Sequence, residues 1–247
     1  EIVLTGVNLG RWGRERGFAT ERGPLRLAGL LRILLAETRA ERIRLSSVEP
    51  MDFSDELLEL MAGEPRIAKH VHAPLQSGSD SVLKRMKRKY RTRHYEDRIR
   101  KAHALMPDAA FGADVMTGFP GETGEEFLET VEFIERLPFT YLHVFTYSER
   151  PGTPAAALAQ VPWQVRKERT RRLRELAARK NLAFRERMAG RRLRAVTLGD
   201  GMALTENYLQ VELAAPRPAN ELITVAVGGL TANGVREASP FAILAAG

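Results

Sequence analysis

Five times between Glu1 and Tyr147 a short strand-like run gives way to a turn and then to a helical pattern. The runs lie near Ile2 to Val7, Arg42 to Val48, Ala68 to Pro74, Phe111 to Thr117 and Tyr141 to Tyr147. Between them, Leu27, Leu30, Leu31, Leu34 and Leu35 fall on one helical face. Ser54 caps a short helix with Leu57, Leu58 and Met61, and Thr92 opens another with Tyr95, Ile99 and Ala102. Strands in strict alternation with helices predict a parallel sheet or barrel of the α/β class.

The clearest junction is FGADVMTGFPGET, from Phe111 to Thr123. Val115 and Met116 supply a buried strand, Gly118, Pro120 and Gly121 force a turn, and Thr123 with Glu126 forms a capping box. The helix that follows carries Phe127, Val131 and Ile134. In parallel α/β folds ligands bind at this carboxyl end of the strands. Taken alone, GFPG is equally consistent with a plain tight turn.

A long basic helix from about Trp163 to Met188 ends at Gly190, and beyond it the period changes from 3.6 to 2. Leu209, Val211 and Leu213 alternate with polar residues, as do Ile223, Val225 and Val227. Two domains are therefore expected: residues 1–189, a parallel α/β sheet or barrel with the long basic helix at its carboxyl end, and residues 190–247, a small all-β barrel in the oligonucleotide-binding style. A β-sandwich or a structural cap fits the second pattern as well.

Charge points towards a polyanion. The chain is +7 overall, yet Lys84 to Lys101 holds ten Lys or Arg against two acids, and Arg166 to Arg187 holds ten against three, leaving an acidic remainder. Clustered cations that neutralise phosphates release counterions and so favour nucleic acid, although each run taken singly also suits a solvated helix face. In the long helix Arg171, Arg172, Arg174, Arg179 and Lys180 are spread around the cylinder, so some must face outwards and are candidate phosphate contacts. No apolar run reaches membrane-spanning length and no signal segment opens the chain, so a cytoplasmic location without membrane contact is expected. Opening at Glu1 without an initiator methionine suggests an interior start.

The chain has no cysteine, which excludes disulfides and thiolate-held metal sites within it. His70 and His72 alternate on a strand and are possible ligands. With no further ligand at useful spacing they read as ordinary strand polar residues, and no metal site is expected.

Five site-like segments stand at strand ends: GVNLGRWG, RLSSVEP, PLQSGSDSVLKRMKRKY, GFPGET and HVFTYSERPGTPA. In this order they resemble the radical S-adenosylmethionine methylthiotransferases, over essentially the whole chain. That family inserts sulfur and then methylates it, on an adenosine beside the tRNA anticodon or on a ribosomal protein, and ends in an RNA-binding β module, the TRAM domain. GVNLGRWG and the RKY element look most like the branch acting on N6-threonylcarbamoyladenosine.

The resemblance implies S-adenosylmethionine contacts at Asn8 near the methionyl end, Ser47 and Glu49 after the second strand, Gln76 and Ser77 after the third, and Asp114 in the fourth. It implies Val144 and Phe145 against the adenine. Each has a plainer role open to it: Asp114 as a turn cap, Glu49 as a partner of Arg44 or Arg85, Gln76 as a tie within its own loop. The family's CxxxCxxC loop and the cysteines of its amino-terminal domain are missing. The resemblance therefore implies a fragment, inactive alone, of a tRNA-modifying enzyme that adds a methylthio group to C2 of a hypermodified adenosine. The full-length protein would carry two [4Fe-4S] clusters and draw on an electron donor and a sulfur source. The alternatives are a ribosomal-protein methylthiotransferase or a non-catalytic RNA-binding barrel.

Overall fold

The computed structural model describes residues 1–14, 19–20 and 23–239. Its centre is a parallel sheet built from β1 (Ile2–Leu4), β4 (Ile43–Leu45), β5 (His70–His72), β6 (Ala110–Thr117) and β7 (Tyr141–Thr146), while β2 (Ala19–Thr20) and β3 (Gly23–Pro24) form a small hairpin. Strand β1 pairs with β4, and β5, β6 and β7 pair in that order, all parallel. Bridges from Ile43 to Ile67 and from Ser47 to His72 join the two groups into one five-stranded order. Strands β1, β4 and β5 each span three residues, shorter than the strand-like runs near Ile2, Arg42 and Ala68.

Helices α1 (Leu27–Glu37), α2 (Asp55–Gly63), α3 (Asp80–Arg85), α4 (Thr92–Leu105) and α5 (Gly124–Arg136) return the chain between strands. Their apolar stripes, Leu27 and Leu31, Leu57, Leu58 and Met61, Tyr95 and Ile99, Phe127 and Val131, share one core with Val71, Phe111, Ala113, Val115 and Val144 of the sheet. Ser54 accepts from the Leu57 amide as the α2 cap, and Thr123 with Glu126 completes the capping box of α5. Thr92 begins α4, its amide held by the Asp80 carboxylate at 2.8 Å rather than by a side-chain cap on Arg91.

Helix α6 (Trp163–Met188) runs along β7 and ends where Gly190, at φ +76°, turns the chain. A left-handed residue of this kind is a common helix stop, and glycine adopts it without a Cβ penalty. Beyond it, β8 (Arg192–Thr197), β9 (Met202–Thr205), β10 (Gln210–Glu212), β11 (Leu222–Leu230) and β12 (Val235–Glu237) close into a barrel in the order β10-β12-β11-β8-β9. Alternate residues Leu193, Ala195, Ala203, Val211, Val225, Val227 and Val235 fill it, and Phe184 and Met188 of α6 join that core. Residues 240–247 of the expected second module lie outside the described residues.

The barrel docks on the amino end of the parallel sheet through buried guanidinium groups. Arg42 donates to the carbonyls of Arg194 and Leu204, and Arg44 to those of Thr205 and Glu206. Both pair with the Glu1 carboxylate. Burial alone would raise that carboxyl, but Arg44 and Arg42 outweigh it and hold it below the usual carboxylate range. A charge so far from water is tolerated only when paired and fully hydrogen-bonded, as these are.

Candidate functional site

Side chains alternate across a strand, so the sheet has two faces. One meets the helices and is apolar. The other carries His70 and His72 of β5, Gly112, Asp114 and Met116 of β6, and Tyr141, His143 and Phe145 of β7, matched by the register Gly112 to Tyr141, Asp114 to His143 and Met116 to Phe145. His72 faces Gly112 across the next ladder. With no side chain at Gly112, the Tyr141 ring crosses over it, and a Cβ there would collide with the ring. The Tyr141 hydroxyl thereby lies 2.7 Å from His70 Nε2 and 2.9 Å from His72 Nδ1. Asp114 Oδ1 lies 3.2 Å from both His72 Nε2 and His143 Nδ1.

Burial sets the protonation of this network. Desolvation, reinforced by the nearby charge of Arg44, lowers His70 to about 3, so it is neutral at physiological pH. Desolvation likewise pushes the Tyr141 phenol well up, keeping its proton. For Asp114, burial acts upwards, yet the hydrogen bonds and charge of His72 and His143 prevail and the carboxyl lies below its ordinary range. Tyr208, from the small barrel, stacks on His70 at 4.4 Å and closes the amino end of this face. Asp114, half-buried, and His143, exposed, leave its other side accessible.

At the carboxyl ends the candidates divide. Asn8 is exposed before the short 3-10 helix Leu9–Arg11, and Ser47 is exposed after β4. Glu49 accepts from Arg88 at 3.2 Å, a partner different from the Arg44 and Arg85 weighed from sequence. Asn8 and Glu49 come together on a cavity of about 300 Å³ that Arg11, Arg14, Lys87 and Arg88 also line. Gln76 takes a left-handed φ of 64°, and its carbonyl accepts from the Met116 amide at 2.9 Å, tying its loop to β6. Ser77 is buried, its hydroxyl shared with Thr130 and the Ser79 amide. Val144 and Phe145 cannot present side chains to one ligand surface: the strand period sends Val144 into the helix-facing core and leaves Phe145 exposed opposite.

The GFPGET turn is held by ion pairs. Glu122 accepts from the Gly118 amide at 2.8 Å and from Arg169 of α6 at 2.6 Å. Its burial outweighs both partners and raises its carboxyl. Arg85 grips Glu126 through both guanidinium nitrogens. This junction positions the strand ends.

On α6, Arg171, Arg172, Arg174 and Arg179 are exposed and Lys180 is half-buried. Most of them have internal partners. Arg171 pairs with Glu168 and Glu175, Arg179 with Glu135, Arg172 lies over the Phe127 ring, and Lys180 donates to the carbonyls of Glu135 and Leu137. Arg166, Arg169 and Arg185 of the same run are buried. Among the described residues no helix is long and apolar enough to cross a membrane.

Sequence reasoning singled out Asp114 but missed Tyr141 and His143, and it left the histidines of β5 without partners. The signal was the HxH pattern at positions 70 and 72 beside histidine and aspartate on two later strands. It became legible only once the register was known.

The profile of the Radical SAM superfamily matches residues 11–134. The threonylcarbamoyladenosine tRNA methylthiotransferase MtaB of Aquifex aeolicus (strain VF5) is 38% identical over 228 residues, covering 92% of this chain and 54% of that protein. The protein of the same name from Bacillus subtilis (strain 168) is 45% identical over 177 residues, 70% of this chain and 38% of that one. The tRNA-2-methylthio-N(6)-dimethylallyladenosine synthase of Nocardia farcinica (strain IFM 10152) is 43% identical over 192 residues, 77% of this chain and 38% of that one. The chain thus spans about half, or less, of the length of these relatives. Among solved structures, the coproporphyrinogen III oxidase HemN of Escherichia coli, a radical SAM enzyme, superposes with a TM-score of 0.52 at 16% identity, over 74% of this chain and 50% of that one. At that identity the likeness concerns the fold alone.

Proposed function

The chain belongs to the radical SAM superfamily and, within it, to the methylthiotransferase family, and on that premise we propose that it is the barrel portion of an enzyme that methylthiolates tRNA. The substrate of the proposed reaction is a hypermodified adenosine beside the anticodon, modified at C2, in the N6-threonylcarbamoyladenosine branch. The observation that carries the reading is the 38% identity over 92% of the chain with a methylthiotransferase named for that base.

The residues present fit S-adenosylmethionine. Phe145 offers an exposed ring beside Met116, Asn8 and Ser47 offer exposed polar groups at neighbouring strand ends, and the buried Ser46 hydroxyl has no hydrogen-bond partner within the protein. When bound, this cosubstrate supplies a methyl group and, on reductive cleavage, a carbon radical. The chain's own part is to orient it: Phe145 against the adenine, Val144 through its backbone, Glu49 and Ser47 near its polar groups, Asn8 at the methionyl end. Gln76 and Ser77 hold the loop between β5 and α3 in shape. An iron–sulfur cluster does not fit these residues, since the chain contains no cysteine, and no step is derived through one.

Residues 190–247 are proposed as the RNA-gripping module in the TRAM style. Arg172 and Arg174, without a carboxylate partner among the described residues, are the members of α6 best suited to phosphate contact. Lys87 and Lys89, exposed on the cavity that Asn8 and Glu49 line, are a second basic group at the strand ends. The partners implied are tRNA, an electron donor and a sulfur source.

Nucleoside mass spectrometry tests the reading. The complete gene product, supplied with reductant, sulfide, S-adenosylmethionine and tRNA, is expected to yield the 2-methylthio derivative of N6-threonylcarbamoyladenosine. Methylthiolation of dimethylallyladenosine instead would overturn the branch, and modification of a ribosomal protein alone would overturn the tRNA substrate. Retained tRNA binding without any product would favour a non-catalytic RNA-binding barrel.

A further inference from the structure

Three side chains from three adjacent strands converge on the accessible face of the sheet. His72 Nε2 and His143 Nδ1 each lie 3.2 Å from Asp114 Oδ1, and one ligand atom from each residue lies within 4.8 Å of the others. We propose that His72, Asp114 and His143 form a binding site for one divalent metal ion of the zinc class. Asp114, which the resemblance assigns to S-adenosylmethionine, is here a metal ligand on the same sheet face as Phe145, and the metal site rests on its own geometry rather than on the sulfur-transfer reading.

The donor set selects the ion. Two imidazoles and one carboxylate suit Zn²⁺ and its first-row neighbours, whereas Mg²⁺ and Ca²⁺ prefer all-oxygen shells. Bonds of about 2.0–2.1 Å in tetrahedral array put neighbouring ligand atoms about 3.3 Å apart. The two 3.2 Å separations from Asp114 are close to that spacing, and the third edge, between the imidazoles, lies within 4.8 Å, a gap that side-chain rotation at exposed His143 can close. The ladder from Asp114 to His143 and the pairing of His72 with Gly112 hold the ligands on a rigid frame.

The surrounding groups support the same assignment. A metal-bound imidazole almost always has its second nitrogen engaged, which orients the ring and fixes its tautomer. His72 Nδ1 lies 2.9 Å from the Tyr141 hydroxyl, which in turn reaches His70 Nε2 at 2.7 Å. The Tyr141 proton has two possible placements. If it lies towards His72, the Nε2 of that ring carries a proton and donates to Asp114, giving a closed hydrogen-bonded cluster. If it lies towards His70, His72 donates Nδ1–H to Tyr141 and its Nε2 lone pair faces the Asp114 carboxylate. Two acceptors then face each other, and a cation between them satisfies both. The cluster admits a metal ion through tautomer shifts in His72 and His70, with the heavy atoms nearly fixed and no net loss of a proton. His143 is exposed and Asp114 half-buried, which provides an entry path and leaves room for water in the remaining positions.

Because the chain has no thiolate to compete, the test is direct. Metal-free protein is titrated with ZnCl₂ by calorimetry, and with Co²⁺ while the visible ligand-field bands are recorded. One equivalent is expected to bind, with cobalt bands indicating low coordination number and nitrogen ligation. His143→Ala, a change at an exposed position, is expected to weaken zinc at least tenfold and to abolish the cobalt bands, and Asp114→Asn to act in the same direction. Tyr141→Phe keeps every ligand and is expected to weaken binding about tenfold through the lost support. His94→Ala, remote from the cluster, is expected to change nothing. No stoichiometric zinc in the intact chain would overturn the proposal. So would equal affinity in the intact chain and in the folded His143→Ala and Asp114→Asn variants, leaving a hydrogen-bonded cluster only.

Discussion

The two faces of the parallel sheet are made by the same strands and obey opposite rules. On the helix side, Val71, Phe111, Ala113, Val115 and Val144 are buried in one continuous apolar core. On the other, the same strands present His70, His72, Asp114, Tyr141 and His143, joined by hydrogen bonds and reached by solvent at one end. Parallel strands covered on both faces usually read as unbroken apolar runs. The polar positions at alternate sites of β5 and β7 mark the face that the helices do not cover, whose amino end instead packs against Tyr208 of the small barrel. Apolar residues on one face secure the fold, and on the other the accessible polar groups are Asp114 and His143 at the open end.

The sharpest way to break this contrast is a pair of truncations across the sheet. Phe111→Ala, at a position with 0% exposure, is expected to cost about 3–5 kcal/mol through lost transfer energy and the cavity left behind. His143→Ala, on the other face and exposed, is expected to change stability by no more than about 0.5 kcal/mol. Urea unfolding of both variants measures the difference, and similar losses would erase the distinction between the faces.

Gly112→Ala sharpens the contrast from within one strand. Its methyl would enter the space of the Tyr141 ring, whose hydroxyl is held by two histidines, so the ring must shift. Overpacking of this sort is expected to cost about 1–3 kcal/mol. The His70 and His72 ring resonances in NMR spectra should move with it. Unchanged resonances would show that Tyr141 does not bridge them.

A smaller effect belongs to the helices over the apolar face, where charge gathers at helix ends. Glu126 caps α5 and is gripped by Arg85, and that hydrogen bond, opposed by modest burial, holds its carboxyl below the ordinary 4.5. A depressed folded-state value means that the stabilisation is complete above about pH 4.5 and is lost as pH falls through the lower folded value. Glu126→Gln keeps a capping side chain but removes the charge. Since Arg85 is partly solvent-exposed, the expected loss at neutral pH is about 1 kcal/mol, with a shallower acid limb in stability against pH. An unchanged acid limb would show that the Arg85 pair contributes nothing.

The strand–helix alternation, the capping box at Thr123 and Glu126, the span of α6 and the change of period after Gly190 were all legible in the sequence. Each rests on neighbours two to four residues apart, where chain geometry alone sets the spacing. The radical SAM methylthiotransferase resemblance was legible too, because its motifs are contiguous. Charge was legible only as a count. Nothing local distinguishes Arg169, buried on Glu122, from Arg172, exposed over Phe127, since their environments come from elements elsewhere in the chain. The separation of Val144 from Phe145 followed from strand period, but which of them would be buried depended on the helices that packed. The cluster of His72, Asp114 and His143 was decided by tertiary structure alone. Its members lie far apart along the chain and meet through the lateral register of β5, β6 and β7, and a one-residue slip in any of those pairings would turn its donors to the opposite face.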